Sequence, residues 1–200
     1  KVQLKNVRLS FPSLFKPSSF EDSDPKFSAT FIMDKEVNAK DISRLEKAIN
    51  EVVKENFKGN HKCLKGVCLR DGEEKTDKEG EYKDGFGPDV MFTTASNKNR
   101  PLVLDRKYET DASGNVVKNT AGQPQLARIS EEDGKIYAGC FVNVSFNLWA
   151  QDNKFGKRVN ASLSAVQFVK DGDTFGESRI NPENEFGVVE GDEDDNDGLG

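Results

Sequence analysis

Apolar and polar positions alternate with a period of two through residues 135–150. The even positions carry Ile136, Ala138, Cys140, Val142, Val144, Phe146, Leu148 and Ala150. The odd ones carry Tyr137, Phe141 and Trp149 among Gly139, Asn143, Ser145 and Asn147. Successive side chains of a strand point to opposite faces, so this pattern predicts a strand with one face in a core. Residues 151–156 are polar and end in glycine, after which Val159, Ala161, Leu163 and Ala165 alternate against Arg158, Asn160, Ser162 and Ser164. The whole stretch, 135–168, predicts a long antiparallel hairpin whose inner side is aliphatic and whose outer side mixes aromatic and small polar groups.

The same reading applied from the start of the chain gives a strand over residues 1–10. There the step from Leu4 to Val7 breaks the alternation and predicts a bulge. Pro12 and Pro17 then place Phe11, Phe15 and Phe20 on a loop or strand edge beside Lys5, Arg8 and Lys16, where they either form a binding lip or pack against the end of a barrel. Residues 26–33 alternate again, with Phe27, Ala29, Phe31 and Met33 on one face. The period then lengthens to that of a helix. Ile42, Leu45, Ile49, Val52, Val53 and Phe57 form one stripe, Asn38 is placed to cap it, Asp41 suits its first turn and Gly59 lies beyond its end. That stripe is the kind that packs on a sheet.

From residue 60 to 88 the chain is charged and rich in glycine, which predicts an exposed connection; Tyr82 and Phe86 either join a binding surface or anchor this loop. Short strands follow, with Val90, Phe92, Leu102 and Leu104 expected to point inward and Arg100, Arg106 and Lys107 gathered near Tyr108. Many short strands, irregular connections and one strong helix favour a mainly β fold. The expected architecture is an OB-fold-like antiparallel barrel with one long helix and long loops. Residues 1–182 would form this domain and residues 183–200 a disordered, acidic C-terminal tail.

Charge sharpens that division. The formal net charge is −6, and residues 183–200 hold eight carboxylates and no lysine or arginine, so setting the tail aside leaves the body at +2. A weakly basic body can bind nucleic acid where its cations share one face, and an acidic tail can compete for that face or recruit a basic partner. A mean hydropathy of −0.71 predicts a soluble chain without a leader or membrane span. Three cysteines, Cys63, Cys68 and Cys140, are too few for a disulfide scaffold and suit a reducing compartment.

Candidate chemistry is sparse. His61, Cys63 and Cys68 lack a fourth close zinc ligand, and there is neither a phosphate-binding glycine loop nor a nucleophile elbow. Asp89 with Glu131, Glu132 or Asp133 would suit two-metal nuclease chemistry, but nothing in the sequence joins them. The expectation is a protein that is not an enzyme and needs no cofactor or metal. Aromatic rings can stack bases, and nearby cations can neutralise phosphates. Tyr137, Phe141 and Trp149 are the candidate stacking residues, and Lys154, Lys157, Arg158, Lys5, Arg8, Lys16, Arg106 and Lys107 the candidate phosphate contacts. Asn143, Asn147 and Asn160 are candidates for sugar or base edges. The competing reading is a non-catalytic protein-interaction module, since exposed aromatics also anchor interfaces.

The opening KNVRLSFPSLFKP, the segment KFSATFIMDKE, the stretch from YAGCFVNVSFNLWAQ to VKDGDTFG and the acidic C-terminus occur in one order that resembles a bacteriophage single-stranded DNA-binding protein family. That family was formerly described only as a domain of unknown function and is represented by an Enterobacter phage protein. The resemblance implies an OB-fold, single-stranded DNA as the partner, and a sequence-tolerant role in protecting or organising it during phage replication and recombination. It also implies a place in the host-cell cytoplasm, with replication or recombination proteins as partners for the tail.

Overall fold

β9, spanning Gly156–Lys170, touches more neighbours than any other strand, and the architecture follows from how its length is shared. The computed structural model describes residues 1–19 and 23–176. The tail assigned to residues 183–200 lies outside them, as does Phe20. In chain order the described elements are β1 (Val2–Ser18), β2 (Lys26–Asp34), α1 (Ala39–Phe57), β3 (Leu64–Val67), β4 (Leu69–Asp71), β5 (Val90–Asn97), β6 (Leu102–Tyr108), β7 (Leu126–Arg128), β8 (Phe141–Asn153) and β9.

Five strands close a ring. β1 pairs with β2, β2 with β5, β5 with β9, β9 with β8, and β8 again with β1. All these pairings are antiparallel except β5–β9, which joins strands far apart in sequence. The expected OB-like barrel is therefore present, with one parallel seam. β3 and β6 add to β9 in parallel, at Lys157–Val159 and at Ala165–Gln167 respectively. β4 extends β5, and β7 extends β6.

The alternation of the long hairpin sorts its residues as expected around the barrel. Cys140, Val142, Val144 and Phe146 are buried, whereas Asn147 and Trp149 are exposed. Each apolar side chain fully buried here contributes about 1.5–3 kcal/mol. The strand itself begins only at Phe141. Gly139 has φ +109°, and a Cβ there would collide with the carbonyl oxygen of Asp173, so the chain turns before β8 starts. The predicted loop also contracts: the pairing runs to Asn153 opposite Gly156, leaving Lys154 and Phe155 as the turn.

Three local expectations change. In β9, Ser145 faces Ala165 while Phe146 faces Leu163, so Ser164 is an extra residue and the inward positions become Val166 and Phe168 in place of Ala165. In β6, Val103 and Asp105 are buried while Leu102 is exposed, the reverse of the inward assignment of Leu102 and Leu104. This strand lies outside the ring, and Val103 reaches the core on the side where β6 meets β9. Phe92 is buried, but outside the main core, since β5 turns Ala95 inward and Phe92 outward. Phe86 covers it edge-on at 5.3 Å.

The bulge expected between Leu4 and Val7 is present, with Asn6 at φ +51°. Its N–H is held by Asn143 Oδ1 at 3.0 Å, and the Asn143 amide donates to Gln167 Oε1 at 2.9 Å. In α1, Leu45, Ile49, Val53 and Phe57 are buried against β1, β8 and β9. Asn38 makes no side-chain cap; its Oδ1 accepts from Asp34 N and its Nδ2 donates to the carbonyl of Lys5, tying the start of the helix to β1. The helix ends through left-handed Lys58 and Gly59, the N–H of Gly59 returning to the Val53 carbonyl at 3.1 Å.

Candidate nucleic-acid interface

The outer face of the ring is floored by small polar side chains because its strands lie in matching register. Ser13 pairs with Ser28, Ser28 with Ser96, Ser96 with Ser162, and Ser162 with Asn147, a row that crosses all five ring strands. The adjoining row runs from Ser10 through Thr30 to Thr94, with Asn160 and Trp149 paired across β9 and β8. Thr30 and Thr94 share a hydroxyl hydrogen bond of 2.9 Å. Ser10 and Thr30 are buried, whereas Thr94, Ser96, Asn160 and Ser162 line open space, where a ligand can approach the sheet closely and find donors and acceptors.

A groove of about 590 Å³ lies over the floor. Trp149 and Asn160 line one side, and Lys26, Arg70, Lys98 and Arg158 contribute four cations; no carboxylate lines it among the described residues. Trp149 is 47% exposed, leaving a ring face open to the groove. Asn160 Nδ2 donates to Gln151 Oε1 at 3.0 Å, which fixes the amide beside the indole. Two of the cations carry partners outside the groove: Lys98 meets Asp24 at 2.6 Å and Arg70 meets Glu74 at 2.6 Å. The hydrogen bond and charge of Lys98 hold the Asp24 carboxyl below its ordinary value. Such exposed pairs are weak, so an arriving phosphate can replace the carboxylate at little cost.

The structure brings Trp149, Arg158 and Asn160 together in this groove and sets Asn147 beside it. The other candidates are elsewhere. Phe141 is eight residues from Trp149 on β8, roughly 26 Å at strand rise, so the two rings do not make one platform. Phe141 instead lies under Arg8 and Lys170, with centroid distances of 5.5 and 4.5 Å. Tyr137 precedes β8, and its hydroxyl donates to Asp171 Oδ1 at 3.0 Å. Burial pushes the pKa of that phenol up.

Arg8 is engaged by the exit segment: its guanidinium lies 4.3 Å from the Phe175 ring centroid and donates to the Asp173 carbonyl at 2.5 Å. Lys16 pairs with Glu131 at 2.9 Å. Lys154 lies over Phe155 at the hairpin turn, and Lys157 pairs with Asp152 at 3.3 Å. Arg106 donates to the Val169 carbonyl at 3.3 Å, and Lys107 is exposed on the outlying β6. Lys5 and Asn143 line a separate cavity of about 210 Å³ between the ring and β6–β7.

Arg70, Lys26 and Lys98 join the groove without having stood out in the sequence. Each sits in a charged, polar stretch, and only the β4–β5–β2 register carries them toward Trp149. Among the described residues no three His, Cys, Asp or Glu side chains are grouped to hold a metal ion, and no helix is long and apolar enough to cross a membrane.

A closed five-stranded ring with a basic, aromatic-edged groove on its outer face defines a class of nucleic-acid-binding barrel. Within that class the assignment is specific: residues 1–198 match the family model described as Enterobacter phage Enc34, ssDNA-binding protein, and the chain belongs to this family. It is 35% identical over 185 residues to putative protein p50 of Acyrthosiphon pisum secondary endosymbiont phage 1, covering 88% of this chain and 86% of that protein. Among solved structures, the single-stranded DNA-binding protein from bacteriophage Enc34 in complex with ssDNA superposes with a TM-score of 0.64 at 27% identity, covering 87% of this chain and 88% of the other. A second structure of the single-stranded DNA-binding protein from bacteriophage Enc34 gives a TM-score of 0.61 at 26% identity, covering 92% of this chain and 88% of the other.

Proposed function

We propose that this chain binds single-stranded DNA without catalysis, with little regard to sequence, and organises or protects it during phage replication and recombination. The observation that carries the reading is the Trp149 groove, with its four cations, its polar floor and, among the described residues, no lining carboxylate, in a member of this family. Trp149 stacks a base, which is sequence-tolerant because every base has a π-face. Arg158, Lys26, Lys98 and Arg70 neutralise phosphates, and Asn147 and Asn160 bond sugar or base edges. Lys154 adds a cation at the hairpin turn. By the same reading the protein works in the host-cell cytoplasm, and residues 183–200 recruit basic replication or recombination proteins.

Titration of labelled single-stranded and duplex oligonucleotides over a range of salt concentrations tests this. Four neutralised phosphates predict a log–log salt slope of about −3, from roughly 0.7 per phosphate on single strands. Failure to bind single strands at low salt, or binding with no salt dependence, would refute it.

A further inference from the structure

A second aromatic and basic cluster lies at the other end of the same face. The segment 72–89 folds back as a flap whose Phe86 packs edge-on against Phe92 of β5 and stacks on Phe11 of β1 at 6.1 Å with an interplanar angle of 26°. Phe11 has φ +46°, in a region that bulky residues avoid, at the irregularity between Ser10 and Ser13. That backbone turns the ring outward, leaving it 48% exposed, and Tyr82 at the flap tip is 47% exposed. Both rings line a cleft of about 440 Å³.

Two ammonium groups lie against the Phe11 ring without a carboxylate bonded to either among the described residues: Lys75 Nζ and Lys83 Nζ are 5.2 and 5.6 Å from its centroid, and Lys83 also lines the cleft. Burial, followed by the charges of Lys83 and Arg70, lowers the pKa of Lys75. Asp77 and Asp84 line the cleft as well, each turned toward backbone N–H groups. Asp77 Oδ1 accepts the N–H groups of Glu79 and Glu81 at 2.8 and 3.0 Å, and Asp84 Oδ2 accepts that of Gly176 at 2.7 Å.

We propose that Phe11 and Tyr82 form a second stacking station for single-stranded DNA, taking a base in the cleft and its phosphate on Lys75 and Lys83. This rests on the reading of the Trp149 groove and extends it. The two stations lie on one row of strand pairings: Ser10 lines the cleft and pairs with Thr30, which is buried, and Thr30's other partner, Thr94, lines the groove. From β1 to β8 by way of β2, β5 and β9 there are four interstrand steps, about 19 Å along the sheet. A strand reaching both stations therefore crosses the barrel transversely, and a short one fills a single station.

The test is a length series of oligothymidylates from about 4 to about 16 nucleotides, applied to the full chain and to a Phe11→Ala/Tyr82→Ala variant. The longest strands should lose roughly 5- to 100-fold in affinity per ring removed, and the shortest should bind as before at Trp149. Lys75→Gln and Lys83→Gln should each reduce the salt slope by about 0.7, for long strands only. Tyr82→Phe should bind as the parent does. If Phe11→Ala lowers the melting temperature, Tyr82→Ala alone carries the comparison, since that side chain sits at the exposed tip. Equal losses at every length would make the flap a support for the Trp149 groove, and no loss for long strands would leave it outside the DNA path; either overturns the proposal. Failure of the parent chain to bind any length would instead refute the underlying reading.

Discussion

Replacing Asn143 with alanine separates folding from DNA contact at one position. Asn143 lies on the same alternating face of β8 as Trp149, yet its amide accepts the N–H of Asn6 at 3.0 Å and donates to Gln167 at 2.9 Å. Asn6 is the left-handed residue of the β1 bulge, so the lost acceptor would free a backbone donor where β1 has no regular partner for it. Two neutral hydrogen bonds at about 1 kcal/mol each, with part of the cost of an unsatisfied N–H, give roughly 2–3 kcal/mol. For a domain of this size that is a fall in melting temperature of about 4–12 °C. Affinity for single-stranded DNA, measured below the transition, should stay within about twofold, the usual margin for sites that share no partners. Thermal denaturation and anisotropy titration on one preparation supply both numbers. A large loss of affinity at an unchanged melting temperature would refute the reasoning and make Asn143 a DNA contact.

Trp149→Ala should behave in the opposite way: it should lose about 1–3 kcal/mol of binding with little change in melting temperature, because the ring is exposed and outside the core. Phe146→Ala, three residues earlier but fully buried, should cost about 3–5 kcal/mol of stability. Equal stability losses in the two variants would contradict the assignment of faces. Asp105 supplies a pH signature. Burial raises its pKa, but the Lys135 ammonium at 2.5 Å and the backbone N–H groups of Arg106 and Lys107 outweigh it and leave the carboxyl below its ordinary value. A depressed acid stabilises the fold above its unfolded pKa of about 3.9, and that stability is lost as pH falls through the lower folded value. Asp105→Asn should therefore flatten the acid limb of melting temperature against pH, and an unchanged limb would show that Asp105 does not set it.

The parts of the fold that were legible in the sequence are those governed by local periodicity. The buried run from Cys140 to Phe146, the outward Trp149 and the stripe of α1 follow from spacing alone, and the missing residue of alternation between Leu4 and Val7 marked the bulge. Ser164 left no comparable mark, because a serine between Leu163 and Ala165 fits either register. Long-range pairing was not legible either. The parallel β5–β9 seam joins Ala95 to Ala161, and it is this seam that sets Thr94 and Ser96 against Asn160 and Ser162 to make the floor. The same limit applies to the cations. Arg8 and Lys16 were conspicuous beside phenylalanines, but their partners Asp173 and Glu131 lie 165 and 115 residues away. Arg70 and Lys98 had no such neighbours and gain their place from the register of β4 and β5.

Trp149 is the chain's one tryptophan, so its emission reports on the groove alone. The most direct test is to follow that emission while oligothymidylate is added, with anisotropy of a labelled strand recorded in parallel. The stacked arrangement predicts that emission is quenched in step with binding and recovers as salt releases the strand. Binding by anisotropy with unchanged emission would place the DNA elsewhere on the barrel and contradict the Trp149 groove as its site.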